Sequence, residues 1–406
     1  MTAESDDGSP RWQVTLWAMV AVQVIMTLSF TIHSPVLPLY LPQLGIDSDF
    51  HLYLWSGFLG SVTSFIAAFV SPMWGRVADR YGRKLMVLRS AFAISLCTIA
   101  MGLALNIWQL LAARLVMGAF AGFSAASVVL IASQVPQRRL GWALGIMSTG
   151  QLVGTLVGPV VGGLVADLTG SFRLPFLFGG ALSMLAFALA WWMVPENFVA
   201  PKQKKQPPST WVAMRRMFAN GTMAALVMVL LLTQFATQAA QPVVSLYVQD
   251  MLGDRPDLAT LSGLALSVTG VAGIIAVPFL SRAADRVGER RIVLIALAGA
   301  ALMTAPQAFS HSYLLFVLER LGLGLFIGSI VPVTNALIGK VTPPDERGFT
   351  YGMTSSAYFL GNSMGPITGG TVAAFVGLPW VFVLTTLLLF AGMLWVWAAV
   401  PGDKRT

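Results

Sequence analysis

Four ionisable side chains stand inside long apolar stretches of this sequence: His33, Arg114, Glu319 and Arg320. An uncompensated charge is costly in such surroundings, so these residues are functional candidates that each need a partner. A carboxyl group held away from water binds its proton more tightly, and histidine titrates near physiological pH. The four residues are therefore our candidates for reversible proton binding.

Each of these candidates also has a simpler interpretation. The two arginines could donate to backbone carbonyls, His33 could be a packing residue, and Glu319 could face water at one end of its helix. Glu319 is the one carboxylate well inside an apolar stretch. It adjoins Arg320, but neighbours on a helix do not face each other, so local geometry does not neutralise it.

A second group of side chains within the apolar stretches could line a cavity. Polar groups in such places tend to face another helix or a water-filled space. Methionine and aromatic side chains can repack around varied ligands. Ordinary core packing is the alternative for every member. The candidates are Gln23, Met26, Phe30, Gln151, Gln234, Gln238, Gln241 and Tyr358.

Composition determines the kind of fold that must hold these residues. The 406-residue chain is 56% hydrophobic and 10% charged, with a mean hydropathy of +0.75, whereas soluble domains carry about 25% charged residues. Lipid must therefore surround much of the chain. A spanning helix needs about 20 apolar residues, and backbone polar groups without water must pair within a helix. The predicted class is an all-α membrane protein with twelve spans, at approximately 14–41, 53–74, 85–105, 107–133, 142–167, 173–195, 222–248, 258–280, 292–310, 313–339, 349–373 and 378–400.

The second half of the chain repeats the first at a nearly fixed offset. Gly158-Pro159 returns as Gly365-Pro366, an offset of 207 (365 minus 158), and Arg114 returns as Arg320, an offset of 206 (320 minus 114). Long repeats fix the architecture. Two six-helix bundles of the same orientation are predicted, related by a pseudo-two-fold axis along the membrane normal. The predicted boundaries are 1–195 and 221–406, joined by a cytoplasmic linker at 196–220.

The net charge of +8 is concentrated on one side of the predicted membrane. With both termini in the cytoplasm, the opposite loops carry only Arg173 and Arg255, and nearly all other lysines and arginines face the cytoplasm. This asymmetry predicts the orientation. It also explains the positive charge without a nucleic-acid partner.

The loop from Gly75 to Lys84, GRVADRYGRK, resembles the cytoplasmic signature loop of the major facilitator superfamily. A weaker copy at 281–290 has Glu289 where the first has Arg83. An aspartate there can face a positive helix N-terminus and latch the two bundles. The resemblance thus implies a gating role for Gly75, Asp79, Arg80, Gly82, Arg83, Asp285 and Arg286.

The glycine series in the fifth and eleventh spans resembles the motif shared by exporters of this superfamily. Glycines four apart share one helix face and allow close packing, and an internal proline bends the helix. The resemblance assigns the conformational change to Gly154, Gly158, Pro159, Gly365 and Pro366, and favours export over uptake. Arg114, in L-x3-R-x3-G, resembles the fourth-span motif that the superfamily links to proton coupling.

The resemblance covers all twelve spans. Segments such as Asn106-Ile107-Trp108-Gln109 narrow it to the drug:proton antiporter family with twelve spans, and there to MdtG-type multidrug efflux transporters. It implies a monomeric exporter of the bacterial inner membrane that exchanges amphipathic small molecules, cations among them, for protons, without cofactor or metal. The chain departs from this family in one respect, because its first span has no acidic residue.

Two other functions stay open on the sequence alone. A proton-coupled uptake symporter or facilitator for a sugar or organic anion would share the fold, and Arg114 and Arg320 could hold the anion. A membrane enzyme would need a nucleophile, metal or carboxylate cluster at one membrane face, and the sequence has none. It also lacks a G-x4-G-K-S/T loop, so ATP is not expected as the direct energy source.

Overall fold

The computed structural model describes residues 11–195, 221–342 and 347–401, and this part of the chain contains helices and turns without strands. The first half comprises α1 (Arg11–Thr31), α2 (Val36–Tyr40), α3 (Asp49–Tyr81), α4 (Arg83–Gly102), α5 (Ile107–Ala119), α6 (Phe123–Gln134), α7 (Leu140–Thr169) and α8 (Leu174–Met193). The second half comprises α9 (Gly221–Leu252), α10 (Leu258–Val287), α11 (Glu289–Thr304), α12 (Tyr313–Val341), α13 (Arg347–Val376) and α14 (Pro379–Ala399). The predicted linker lies outside the described residues.

These helices form the predicted twelve spans. Eleven spans in the described ranges are long and apolar enough to cross a membrane, and the 30-residue helix α13 supplies the twelfth. It is less apolar because it carries side chains such as Thr354, Ser355 and Asn362. Helices α1–α8 pack into one bundle and α9–α14 into a second, and the bundles meet where α3 contacts α13 and α7 contacts α10. The all-α, two-bundle fold class is confirmed.

Two predicted spans are interrupted rather than continuous. The first turns between α1 and α2 at Pro35, because proline lacks an N–H and disfavours helix in the residue before it. The fourth breaks at Gly122, whose φ of 119° suits glycine alone. Arg89 stabilises this break, since its Nη2 donates to the Ala121 carbonyl (3.0 Å) and its guanidinium lies 3.4 Å over the Trp74 ring.

The duplication is preserved in individual contacts. The Tyr40 hydroxyl donates to the Ala104 carbonyl at 3.0 Å, and Tyr247, its counterpart, donates to the Gln307 carbonyl at 2.8 Å. Both tyrosines are buried. Each bond ties the end of the bundle's first span to the connection between its third and fourth spans, so the two halves close this end in the same way.

The two ends of the molecule differ in charge, and we name them accordingly. The acidic face is the end that holds the α2–α3 and α9–α10 connections, with Asp47, Asp49, Asp254 and Asp257. The basic face is the opposite end, with Arg83, Lys84, Arg138, Arg139 and Arg290.

Helix α7 uses its glycines to pack against α1. A Cβ added at Gly162 would lie 1.7 Å from the Ile32 carbonyl oxygen, and one at Gly369 in α13 would lie 1.9 Å from the Ala239 carbonyl oxygen of α9. The predicted glycine face therefore packs within its own bundle. The adjacent face crosses to the other bundle, where the Pro159 carbonyl oxygen would lie 2.3 Å from a Cβ at Gly263.

Replacing Gly162 with alanine tests this backbone contact. The new methyl group would overlap the Ile32 carbonyl, so we expect a loss of about 1–3 kcal/mol in the free energy of unfolding, typical of overpacking. Gly145→Ala on the same helix is the matched control, because, apart from the adjacent backbone of α7 itself, no atom of a described residue lies within 4 Å of that Cβ position. Thermal unfolding of both variants in one detergent checks the prediction, and equal stability would contradict the assigned contact.

Candidate functional site

A cleft between the bundles opens at the basic face. Near the acidic face the bundles touch, and the Ser267 hydroxyl donates to the Leu156 carbonyl at 2.6 Å while the Ile367 amide donates to the Ser61 hydroxyl at 2.8 Å. Nearer the basic face, side chains on the same four helices are exposed. They are Ser71 of α3, Leu152 of α7, Ile274 of α10 and Ser355 of α13.

Amide side chains gather at the closed end of this cleft. Asn362 Oδ1 accepts hydrogen bonds from Gln238 at 2.5 Å and from Gln234 at 3.3 Å, and Asn362 Nδ2 donates to the Ser64 hydroxyl of the other bundle at 3.0 Å. Asn362 therefore joins α9, α13 and α3. The sequence predicted the two glutamines but not Asn362, although its place beside Gly361 in the glycine series on a spanning helix was a usable signal.

Gln241 makes a second link between the bundles. Its Nε2 donates to the Ser34 hydroxyl, in the turn between α1 and α2, at 3.3 Å. Three of the predicted glutamines, Gln234, Gln238 and Gln241, therefore lie on α9 in the region between the bundles.

A small cavity continues the cleft wall in the second bundle. Its volume is about 170 Å³, and Tyr358 lies on it with 39% of its surface exposed. The walls combine hydroxyl, amide, aromatic and aliphatic groups without a formal charge. They are formed by Leu230, Val331, Asn335, Thr354, Ser355, Tyr358 and Phe359.

Two predicted cavity residues are buried in packing instead. Gln23 and Met26 are each 2% exposed, Met26 belongs to the hydrophobic core, and Gln23 Nε2 donates to the Thr27 hydroxyl at 3.4 Å. In this conformation both side chains are buried where α7 and α8 pack against α1, and their place in a cavity stays a prediction. Gln151 and Phe30 are exposed.

In the first bundle, His33 and Arg114 lie buried near each other. The His33 ring stacks on Phe176 with 5.4 Å between ring centroids, and the Arg114 charge acts on it. Neither His33 Nδ1 nor Arg114 Nε has a hydrogen-bond partner among the described residues. Buried polar atoms are normally paired, so this is a polar site whose hydrogen bonds are incomplete.

In the second bundle, the corresponding arginine is paired. Arg320 Nε donates to the Ala265 carbonyl of α10 at 2.6 Å, and Glu319 accepts a hydrogen bond from the Ser310 hydroxyl. Both residues are buried, and their partners lie on different elements. The two neighbours thus point in different directions, as helix geometry requires.

The gating residues are described only in part. Gly82 and Gly288 share a φ of 101° and make equivalent tight turns at the basic face. Asp285 and Arg286 are exposed at the end of α10, and Glu289 pairs with Lys340 inside the second bundle. The side chains of Asp79 and Arg80 and the surroundings of Gly75 lie outside what the structure describes, so the latch of the first copy stays a prediction.

Known proteins resemble the chain over its full length. The family model for the Major Facilitator Superfamily matches residues 19–262 and 257–406. Multidrug resistance protein MdtG of Erwinia billingiae is 36% identical over 400 residues, covering 98% of this chain and 96% of the relative. The Serratia proteamaculans protein of the same name is 38% identical over 373 residues, covering 91% and 89%.

The fold also matches solved structures. A bacterial homologue of the human lysosomal transporter Spinster, in an inward-facing and unoccupied conformation, superposes with a TM-score of 0.77. Its sequence is 16% identical, and 97% of each chain is covered. At this identity the likeness concerns the fold alone.

The two buried arginines predict a difference in stability between matched variants. Replacing either with methionine removes a buried charge and keeps an apolar chain, but only Arg320→Met also removes a side-chain hydrogen bond, the one to the Ala265 carbonyl. We therefore expect Arg114→Met to have a free energy of unfolding about 1–3 kcal/mol above that of Arg320→Met. Thermal unfolding in the same detergent measures this difference, and a more stable Arg320→Met would contradict the pairing described here.

Proposed function

The chain belongs to the major facilitator superfamily, and from that premise we propose that it exports amphipathic small molecules in exchange for protons. Membership makes it a multi-pass membrane transporter and not an enzyme. Our proposal adds the direction of transport, the class of substrates and the driving ion. We also propose that it works as a monomer in a bacterial inner membrane.

The lining of the cleft is the observation that carries this proposal. Gln234, Gln238 and Asn362 supply hydrogen bonds, and Tyr358 and Phe359 supply aromatic surface beside a small cavity. Such a surface binds molecules that combine apolar area with a few polar groups, and tolerates variation in their shape. Support also comes from the two relatives named as multidrug resistance proteins.

We propose that the cleft opens towards the cytoplasm in this structure. The basic face carries most lysines and arginines, and cytoplasmic loops are enriched in them. Transport then requires the contacts near the acidic face to part while the halves near the basic face close. The signature loop around Asp79 would latch the closed basic face, since a carboxylate is stabilised at a helix N-terminus.

Proton coupling requires a group whose protonation differs between the two conformations. We propose Glu319 for this role, because it is buried inside a span and held by a single side-chain hydrogen bond, from Ser310. His33 beside Arg114 is the second candidate, because its Nδ1 has no partner in the described part of the chain.

Transport in reconstituted vesicles tests the direction and the driving force. With the basic face outside, an imposed gradient that is acidic inside should drive a fluorescent amphipathic cation into the vesicles against its own gradient, as protons leave. Collapsing the gradient with a protonophore should abolish this uptake. Substrate movement in the same direction as protons would overturn the exporter proposal and favour an uptake symporter.

Replacing Glu319 with glutamine tests the coupling site. The amide keeps the shape and a hydrogen bond to Ser310 but cannot take up a proton, so the pH dependence of transport should become flat while downhill exchange continues. The matched variant His33→Asn should keep the wild-type pH profile. Transport rates measured in vesicles over a range of pH test this prediction. If only His33→Asn gave a flat pH profile, the proton-binding role would belong to His33 and not to Glu319.

A further inference from the structure

One carboxylate holds the two bundles together at the acidic face. Asp167, in the last turn of α7, accepts hydrogen bonds from the backbone amides of Ala259 (3.2 Å) and Thr260 (2.7 Å) in the first turn of α10. Amides in the first turn of a helix have no partner within that helix, and this end carries a partial positive charge. An aspartate of one bundle thus caps a helix of the other.

The helix backbones beside this hydrogen-bonded pair are in direct contact. A Cβ at Gly163 would lie 2.2 Å from the Ala259 carbonyl oxygen, so α7 and α10 touch beside the carboxylate. Asp167 thus lies where the backbones of the two bundles meet. Separating the bundles at this face would break its hydrogen bonds to the α10 amides.

The equivalent position of the second copy has no ionisable group. The offset of 207 places Ala374 where the first copy has Asp167, and there α3 and α13 meet through Gly57 and Gly370. The other hydrogen bonds described between the bundles near this face join neutral groups. Protonation of Asp167 therefore has no counterpart at the equivalent position of the second copy.

We propose that Asp167 is a proton-operated latch of the outer gate. As a carboxylate it caps α10 and keeps the acidic face closed. When water at that face transfers a proton to it, the charge is cancelled, the bonds to the amides weaken and the bundles separate more easily. A fall in pH at that face therefore favours opening.

This inference rests on the proposed exporter for its biological meaning, because alternating access requires the acidic face to open. Asp167 lies at that face, so it is a gating residue and not the group that carries the proton across the membrane. It would make opening easier when the outer medium is acidic, which is the condition under which a proton gradient can drive export.

Other charged and titratable groups surround the latch. Arg255 binds Asp257 just before α10, with 2.8 Å and 3.0 Å between the paired atoms, and this bond lowers the pKa of Asp257. Asp257 therefore stays ionised as the pH falls below neutral. Further charged and titratable groups lie on the elements packed against α7 and α10. They include Tyr313, Glu319 and Arg320 of α12, Tyr247 and Asp250 of α9, Arg173 before α8, Tyr40 of α2 and His33 before α2.

Distances between spin labels across the acidic face test the latch directly. Cys97 is the single cysteine of the chain, so Cys97→Ser provides a background for labels at Leu105 and Phe309, which are 69% and 72% exposed, one on each bundle. In the labelled full chain in lipid, acidic pH should increase the population with the longer distance. Asp167→Asn should show this population already at neutral pH, with a closed-to-open ratio about tenfold lower.

Asp257→Asn is the matched control, because it removes a carboxylate near the same helix end whose hydrogen bonds stay within its own bundle. It should keep the wild-type distances and pH response. Wild-type behaviour of Asp167→Asn would overturn the latch. If Asp167→Asn does not fold, the labelled chain with Asp167 intact provides the test, because distances that do not change with pH would also overturn the proposal. None of these distances requires transport, so failure of proton-driven export in vesicles would be a separate result.

Discussion

Two helices, α7 and α13, each touch two different partners through bare backbone, and the rest of the structure depends on this constraint. Gly162 meets Ile32 of its own bundle, and the next residue, Gly163, meets Ala259 of the other. Gly369 and Gly370 repeat the arrangement in α13. Successive residues on a helix point about 100° apart, so a glycine pair opens two adjacent faces at one level. A side chain at either position would push away a bundle-mate or the opposite bundle.

The glycine pairs also show which features of the structure could be predicted from the sequence. The return of the glycine series at a fixed offset predicted the duplication, while the apolar stretches predicted the spans and the all-α fold class. It could not predict which neighbour each glycine meets, because spacing defines a face but not the rotation of the helix within its bundle. The same limit explains why Gln23 and Met26 are buried while Gln238 faces the space between the bundles. The break at Gly122 was missed because it depends on Arg89 and Trp74, which are distant in sequence.

The two halves share their packing contacts but differ in some of their ionisable residues. Tyr40 and Tyr247 make the same bond in both copies, and packing contacts of this kind survive duplication because they serve the fold. Two carboxylates within the spanning helices do not follow the repeat. Glu319 stands in the second copy where the first has Ala113, and Asp167 stands in the first where the second has Ala374. A proton bound at any of these positions therefore acts on one bundle, or on one of the two contacts, and not symmetrically.

This division has its largest effect where the bundles meet, because the energy that holds them is small. Lipid chains are as apolar as leucine, so no hydrophobic force drives two spans together, and close packing with a few hydrogen bonds must suffice. Each such bond contributes on the order of 1 kcal/mol, and 1.4 kcal/mol changes a population ratio tenfold. Where the bundles meet through glycine backbones and a few polar bonds, the removal of one charge can therefore change which face is open. The glycine pairs that allow the bundles to meet are thus also the reason that a single carboxylate beside them can control their separation.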